Sequence, residues 1–139
     1  MKKVLIKTTL LLMALLSLQS KAEVVIIVNK DNQAILRKKE IKDLYLGRII
    51  FFPNGRAATP YNKSESDDTR IEFQRLYLNK DKNEIKSYWS KLIFTGKGAP
   101  PQTLLNDQDV ISMVNSNINA IGYIDSKSLD DSVRTIIPR

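Results

Sequence analysis

The chain has 139 residues, with 22 Lys and Arg against 15 Asp and Glu, a formal charge of +7, and no histidine or cysteine. Those two absences remove the commonest general base near neutral pH, every Ser-His triad, thiolate and imidazole metal sites, disulfides and lipoprotein acylation. An enzyme is not expected, and neither a cofactor nor a metal is implied.

Lys2, Lys3 and Lys7 precede an apolar run from Leu10 to Leu18, and Ser20-Lys21-Ala22 then places small residues at the two positions a signal peptidase reads. This predicts a secretory signal peptide over residues 1–22, with the mature chain beginning at Glu23. The run is shorter than the ~20 apolar residues that cross a bilayer, so no membrane span is expected after its removal and the mature protein is expected to be periplasmic or secreted. Lys2, Lys3, Lys7 and Lys21 leave with the signal, which takes away more than half of the basic surplus. What remains is too small and too dispersed for a nucleic-acid partner. The one local cluster, Arg37-Lys38-Lys39 with Lys42, reads as a solvated face at a helix start. Residues 23–139 suit one domain with a single core, burying roughly two-thirds of the unfolded surface.

Val24 to Val28 is an unbroken Val/Ile run, the pattern of a strand covered on both faces in a parallel or mixed sheet. Lys30-Asp31-Asn32 turns the chain. From about Lys38 to Leu46, Ile41, Leu44 and Tyr45 form a helical stripe that Gly47 stops. Phe51 to Gly55 reads as an apolar edge entering a turn, and Ala57 to Tyr61 as a short strand. Thr69-Arg70-Ile71-Glu72 has a capping-box pattern, with Phe73, Leu76 and Tyr77 as the buried stripe of the helix it opens. Asp81 and Glu84 repeat the pattern before a helix from about Lys82 to Phe94, whose apolar face is Ile85, Tyr88, Trp89, Leu92 and Ile93. A Gly/Pro loop then leads to Asn106 or Asp107 as the cap of a last short helix carrying Val110, Ile111 and Val114. Ile121 to Ile124 and Val133 to Ile137 read as strands. Strands alternating with helices predict an α/β layer architecture.

Two acidic doublets, Asp67-Asp68 and Asp130-Asp131, invite comparison with a glycosidase pair, but they sit where helix starts and turns favour Asp, so a structural role is expected. Gly96-Lys97-Gly98 lacks the Gly lead-in and following Ser/Thr of a nucleotide-binding loop and reads as a helix stop. Trp89 lies on a continuous apolar stripe and is expected in the core.

Leu44-Tyr45-Leu46-Gly47-Arg48, Trp89 to Gly98 and Asn119-Ala120-Ile121-Gly122-Tyr123, in that order and at that spacing, resemble one lobe of the periplasmic phosphate-binding proteins of bacterial ABC importers. The second lobe of that family carries a helix ending in a Phe-Leu-Gly-Lys-like tetrad and, later, a strand reading Gly-Ala-Ile-Gly-Tyr. The resemblance runs from about Val24 to Lys127. It implies an α/β fold, a single lobe of the periplasmic-binding-protein-like type with a mixed sheet flanked by helices, and a role as a transport-type solute-binding module that takes phosphate or another oxyanion. It also implies the place of the anion site, the segment from Lys63 to Phe73, where the family has an arginine followed by a Ser-Gly-Thr triplet that opens a helix.

A helix opening of this kind aims hydroxyls, amide hydrogens and the positive end of the macrodipole at an anion. Lys63, Ser66, Asp67, Asp68 and Thr69 are the candidate ligand-binding residues on this basis. Thr69 matches the family threonine and Lys63 stands at the arginine position, whereas Asp67 and Asp68 hold the serine and glycine positions. A carboxylate about 4 Å from an anion costs roughly 4 kcal/mol at an effective dielectric of 20, and a helix terminus returns at most about 2. Restoring Ser and Gly there is therefore expected to raise phosphate affinity. The alternative reading is an accessory protein of the cell envelope that has lost the anion site and presents a surface to an envelope protein partner.

Overall fold

The Val/Ile run forms β1 (Val24–Asn29), which is paired on both sides. It runs antiparallel to β4 (Ala120–Asp125), with Val24 opposite Asp125, and antiparallel to β5 (Val133–Ile136), with Asn29 opposite Val133. On its far side β4 runs parallel to β2 (Thr59–Lys63), which in turn runs parallel to β3 (Gln102–Leu104). The result is a five-stranded mixed sheet of order β3-β2-β4-β1-β5. The computed structural model describes residues 21–139, so nearly all of the expected signal peptide, residues 1–20, lies outside the described residues.

Alternation along the strands divides the core between two faces. Ile26, Val28, Ile121 and Tyr123 meet α1 (Lys38–Tyr45), α2 (Asp68–Phe73) and α3 (Lys82–Phe94) through Leu44, Tyr45, Phe73 and Trp89. Ile27, Ala120 and Ile124 point the other way and meet Val110, Ile111 and Val114 of α4 (Asp107–Ser116). Both faces of β1 are thus covered, which is why its sequence shows no polar alternation. Gly122 lies between these layers: a Cβ there would come within 2.5 Å of Val110 Cγ1, so α4 approaches β4 more closely than any other residue allows.

Local signals account for most of the helix ends. Gly47 takes φ +68° at the end of α1 and passes close under the Trp89 ring. Asp81 and Glu84 form the expected capping box of α3, and Asn106 caps α4 by accepting from Asp109 N at 2.9 Å. Ile85 and Trp89 are buried, with Tyr88 and Leu92 half-buried beside them, whereas Ile93, expected on the same apolar face, is 55% exposed at the end of the helix.

Four elements differ from the sequence reading. The strand expected over residues 57–61 runs two residues later, because Ala57 is held in a bridge to Phe51 and pairing with β4 begins only at Thr59. The first residue of α2 is Asp68 and its cap is Asp67, not Thr69, since a carboxylate there can accept from two amides at once; Glu72 is instead bound by Arg75. After Phe73 the helix widens into a π-type turn, Gln74–Leu78, which rotates the stripe so that Leu78 is buried while Leu76 is 37% exposed. Finally, Gln102-Thr103-Leu104 forms β3 without any apolar run, as a three-residue strand at the sheet edge.

Candidate functional site

β2 and β3 run parallel, and each is followed by a helix, so α2 and α4 both open at the same end of the sheet, outside the carboxyl ends of the strands. In open α/β sheets this crevice is where ligands lodge. Lys63 is the last residue of β2 and its side chain projects into the crevice, although it is only 3% exposed. Two carboxylates bracket its ammonium group. Asp67 Oδ2 lies 3.0 Å from Lys63 Nζ, and Asp107 Oδ1, from the first residue of α4, accepts from the same nitrogen.

Each carboxylate is itself held in place. Asp67 Oδ1 accepts from the amides of Thr69 at 2.8 Å and Arg70 at 3.3 Å, which makes it the N-cap of α2. Asp107 Oδ2 accepts from Ser128 Oγ at 2.6 Å and from the Asp125 amide at 3.2 Å. The backbone of Lys63 is fixed from below by Tyr123, whose hydroxyl accepts from Lys63 N at 3.2 Å and donates to Asn62 Oδ1 at 2.5 Å. Burial pushes this phenol well above its ordinary range, so it remains a donor at any physiological pH. Its ring stacks on Phe73 at 3.9 Å, tying the end of the sheet to α2.

Above this triad, in which Lys63 is buried and the two carboxylates are partly exposed, is an open concavity of about 600 Å³. Asp67, Asp68, Asp107 and Asp125 line it against only Lys63 and Lys127, so its wall carries net negative charge. Of the residues proposed from sequence, Lys63, Asp67, Asp68 and Thr69 reach the concavity. Ser66 sits exposed in the turn between β2 and α2 and is not part of the lining. Asp107 was absent from the sequence-derived set, where it figured only as a helix cap. The topology could have found it, because the helix after a parallel neighbour of β2 must open beside α2.

The chemistry of this locus follows from what is already bonded. The amides and the ammonium group that would receive an anion all end on the chain's own carboxylates. Among the described residues no group of three or more acidic side chains is arranged to hold a metal ion, and no helix is long and apolar enough to cross a membrane.

No family model and no curated protein matches the chain in sequence. Solved structures do match. An ABC-type phosphate transport receptor from Vibrio cholerae superposes with a TM-score of 0.67 at 23% identity, over 83% of this chain and 45% of the receptor. A Clostridium perfringens protein assigned as a phosphate ABC transporter substrate-binding protein, solved with bound phosphate, gives 0.66 at 24% identity, over 83% and 44%. This chain has the fold of a phosphate-receptor lobe. PstS from Borrelia burgdorferi agrees at 13% identity, with a TM-score of 0.64 over 85% of this chain and 47% of that one. The lobe therefore spans a little under half the length of the receptors it matches, and at these identities the likeness concerns the fold alone.

Proposed function

We propose that this phosphate-receptor-like lobe is an exported, non-catalytic solute-binding module whose solute is not free phosphate. The observation that carries the reading is the Asp67–Lys63–Asp107 triad: one carboxylate occupies the opening of α2, and both neutralise the one buried cation that the described residues bring to the crevice. An incoming phosphate would have to displace Asp67 from two amides and would still face Asp68, Asp107 and Asp125. Like charges at such range oppose binding by more than a helix terminus supplies.

A periplasmic or secreted location is part of this proposal and rests on the signal-peptide pattern of residues 1–22. The envelope accessory role shares the closed anion locus and takes precedence if the lobe holds no small solute at all. Calorimetric titration of the purified protein with phosphate and with sulfate tests the main reading. The expected result is no binding tighter than about 1 mM for either ion, and a micromolar dissociation constant for phosphate would overturn it.

A further inference from the structure

Adjacent residues of a strand project to opposite faces, so while Lys63 faces α4, Asn62 faces α3. On that side a separate cavity of about 250 Å³ lies between α2, α3 and the β3 edge. Arg70 lines it. This arginine is only 8% exposed, and among the described residues its guanidinium makes a single hydrogen bond, from Nη1 to the Lys63 carbonyl oxygen at 2.6 Å. Its Nε is enclosed and has no partner, and no carboxylate among the described residues forms an ion pair with it.

A buried guanidinium without a counter-charge is a costly arrangement, in contrast to Lys63, which has two. The cavity wall adds to the imbalance: Lys82 and Lys86 stand at it against Glu65 alone, so this side is net positive where the crevice is net negative. Ile85, Trp89, Ile93, Pro100 and Pro101 form the apolar part of the wall, and Asn62, Gln74, Ser90 and Thr103 complete it with uncharged polar groups. The volume falls just below the range of drug-sized ligand pockets, which sets the size of an occupant.

We infer that this cavity is a binding site for a small organic carboxylate, with the carboxylate directed at Arg70 and an apolar or aromatic body against Trp89 and Pro101. The guanidinium can receive a carboxylate through paired hydrogen bonds, and the apolar side chains of Ile85, Trp89, Ile93 and Pro101 favour an occupant with an organic body, which inorganic phosphate lacks. The inference does not depend on the state of the Asp67 crevice.

Benzoate is a suitable probe, with benzamide as its neutral counterpart and inorganic phosphate as the control for the crevice. Benzoate is expected to raise the melting temperature of the wild-type protein at about 10 mM, and benzamide to bind at least about tenfold more weakly. Arg70→Gln should abolish the benzoate shift. Since that side chain is buried, Lys86→Glu provides a second test at an exposed position: it should keep the wild-type fold and weaken benzoate about tenfold. Indifference of the wild-type protein to benzoate, or equal binding of benzoate and benzamide, would overturn the inference.

Discussion

The Asp67–Lys63–Asp107 triad predicts how many substitutions are needed to open the crevice to phosphate. Asp67→Ser with Asp68→Gly recreates the receptor triplet and frees the Thr69 and Arg70 amides. It leaves Lys63 paired with Asp107, however, whose carboxylate still opposes an anion by roughly 4 kcal/mol at 4 Å, against about 2 kcal/mol from the helix terminus. In contrast to the gain in affinity expected from the sequence, which did not include the Lys63–Asp107 pair, the double variant is therefore expected to remain indifferent to phosphate. Adding Asp107→Asn removes the last carboxylate in contact with Lys63 while an amide oxygen can still accept from Ser128. A buried ammonium is then left unpaired, at a cost of about 3 to 5 kcal/mol. At about 4 °C per kcal/mol for a domain of this size, melting should fall by roughly 10 to 20 °C. Phosphate can now supply the missing charge, and at a hundred times its dissociation constant it should return about 2.7 kcal/mol, or roughly 10 °C. Differential scanning calorimetry in phosphate against chloride of equal ionic strength reads all three proteins. A folded triple variant with no phosphate-dependent shift, or a wild-type protein that shifts as much as the triple variant, would refute the reasoning.

Trp89→Ala should cost about 3 to 5 kcal/mol in urea unfolding, since the ring is 7% exposed and packs over Gly47; wild-type stability in the variant would show that the cavity beside it, and not the core, is where the ring acts. Asp43 is buried and accepts from Lys39 Nζ at 2.6 Å, and this bond, against the effect of burial, holds its carboxyl below the ordinary 3.8. Its contribution to stability is complete above that value and is lost as pH falls through the lower native one, so Asp43→Asn should flatten the acid limb of a stability–pH curve below about pH 4 and leave its slope at neutral pH unchanged.

How legible each part of the molecule was depended on what its residues were doing. β1, α3 and α4 announce themselves because burial fixes their periodicity: an unbroken Val/Ile run for a strand covered twice, and stripes at helical spacing for helices covered once. β3 carries no such mark. Its Gln102, Thr103 and Leu104 are defined by hydrogen bonds to β2 at an edge where little is buried, and backbone pairing leaves no pattern in side chains. The candidate site follows the same division. Lys63, Asp67 and Thr69 lie close in sequence and could be read together, whereas Asp107 enters only through the parallel pairing of β2 with the strand that was not foreseen. Arg70 sits between readable neighbours, yet its lack of an ion pair with any carboxylate of the described residues is a property of the packed structure that no local pattern records.

The position of β1 in the sheet has a consequence for how the chain reaches this structure. Among the described residues β1 (Val24–Asn29) pairs only with residues 120–136, which are synthesised long after it, and α1, α2 and α3 must wait with it for a surface on which to pack. Contacts of such long sequence separation fold slowly. Until the far end of the chain is available, β1 is an unpaired Val/Ile segment, soluble only if something holds it or if it is kept moving. Under the proposed export, that delay suits a polypeptide threaded through a membrane channel in extended form; in any setting it makes the same segment the first place where an incompletely synthesised copy would associate with another.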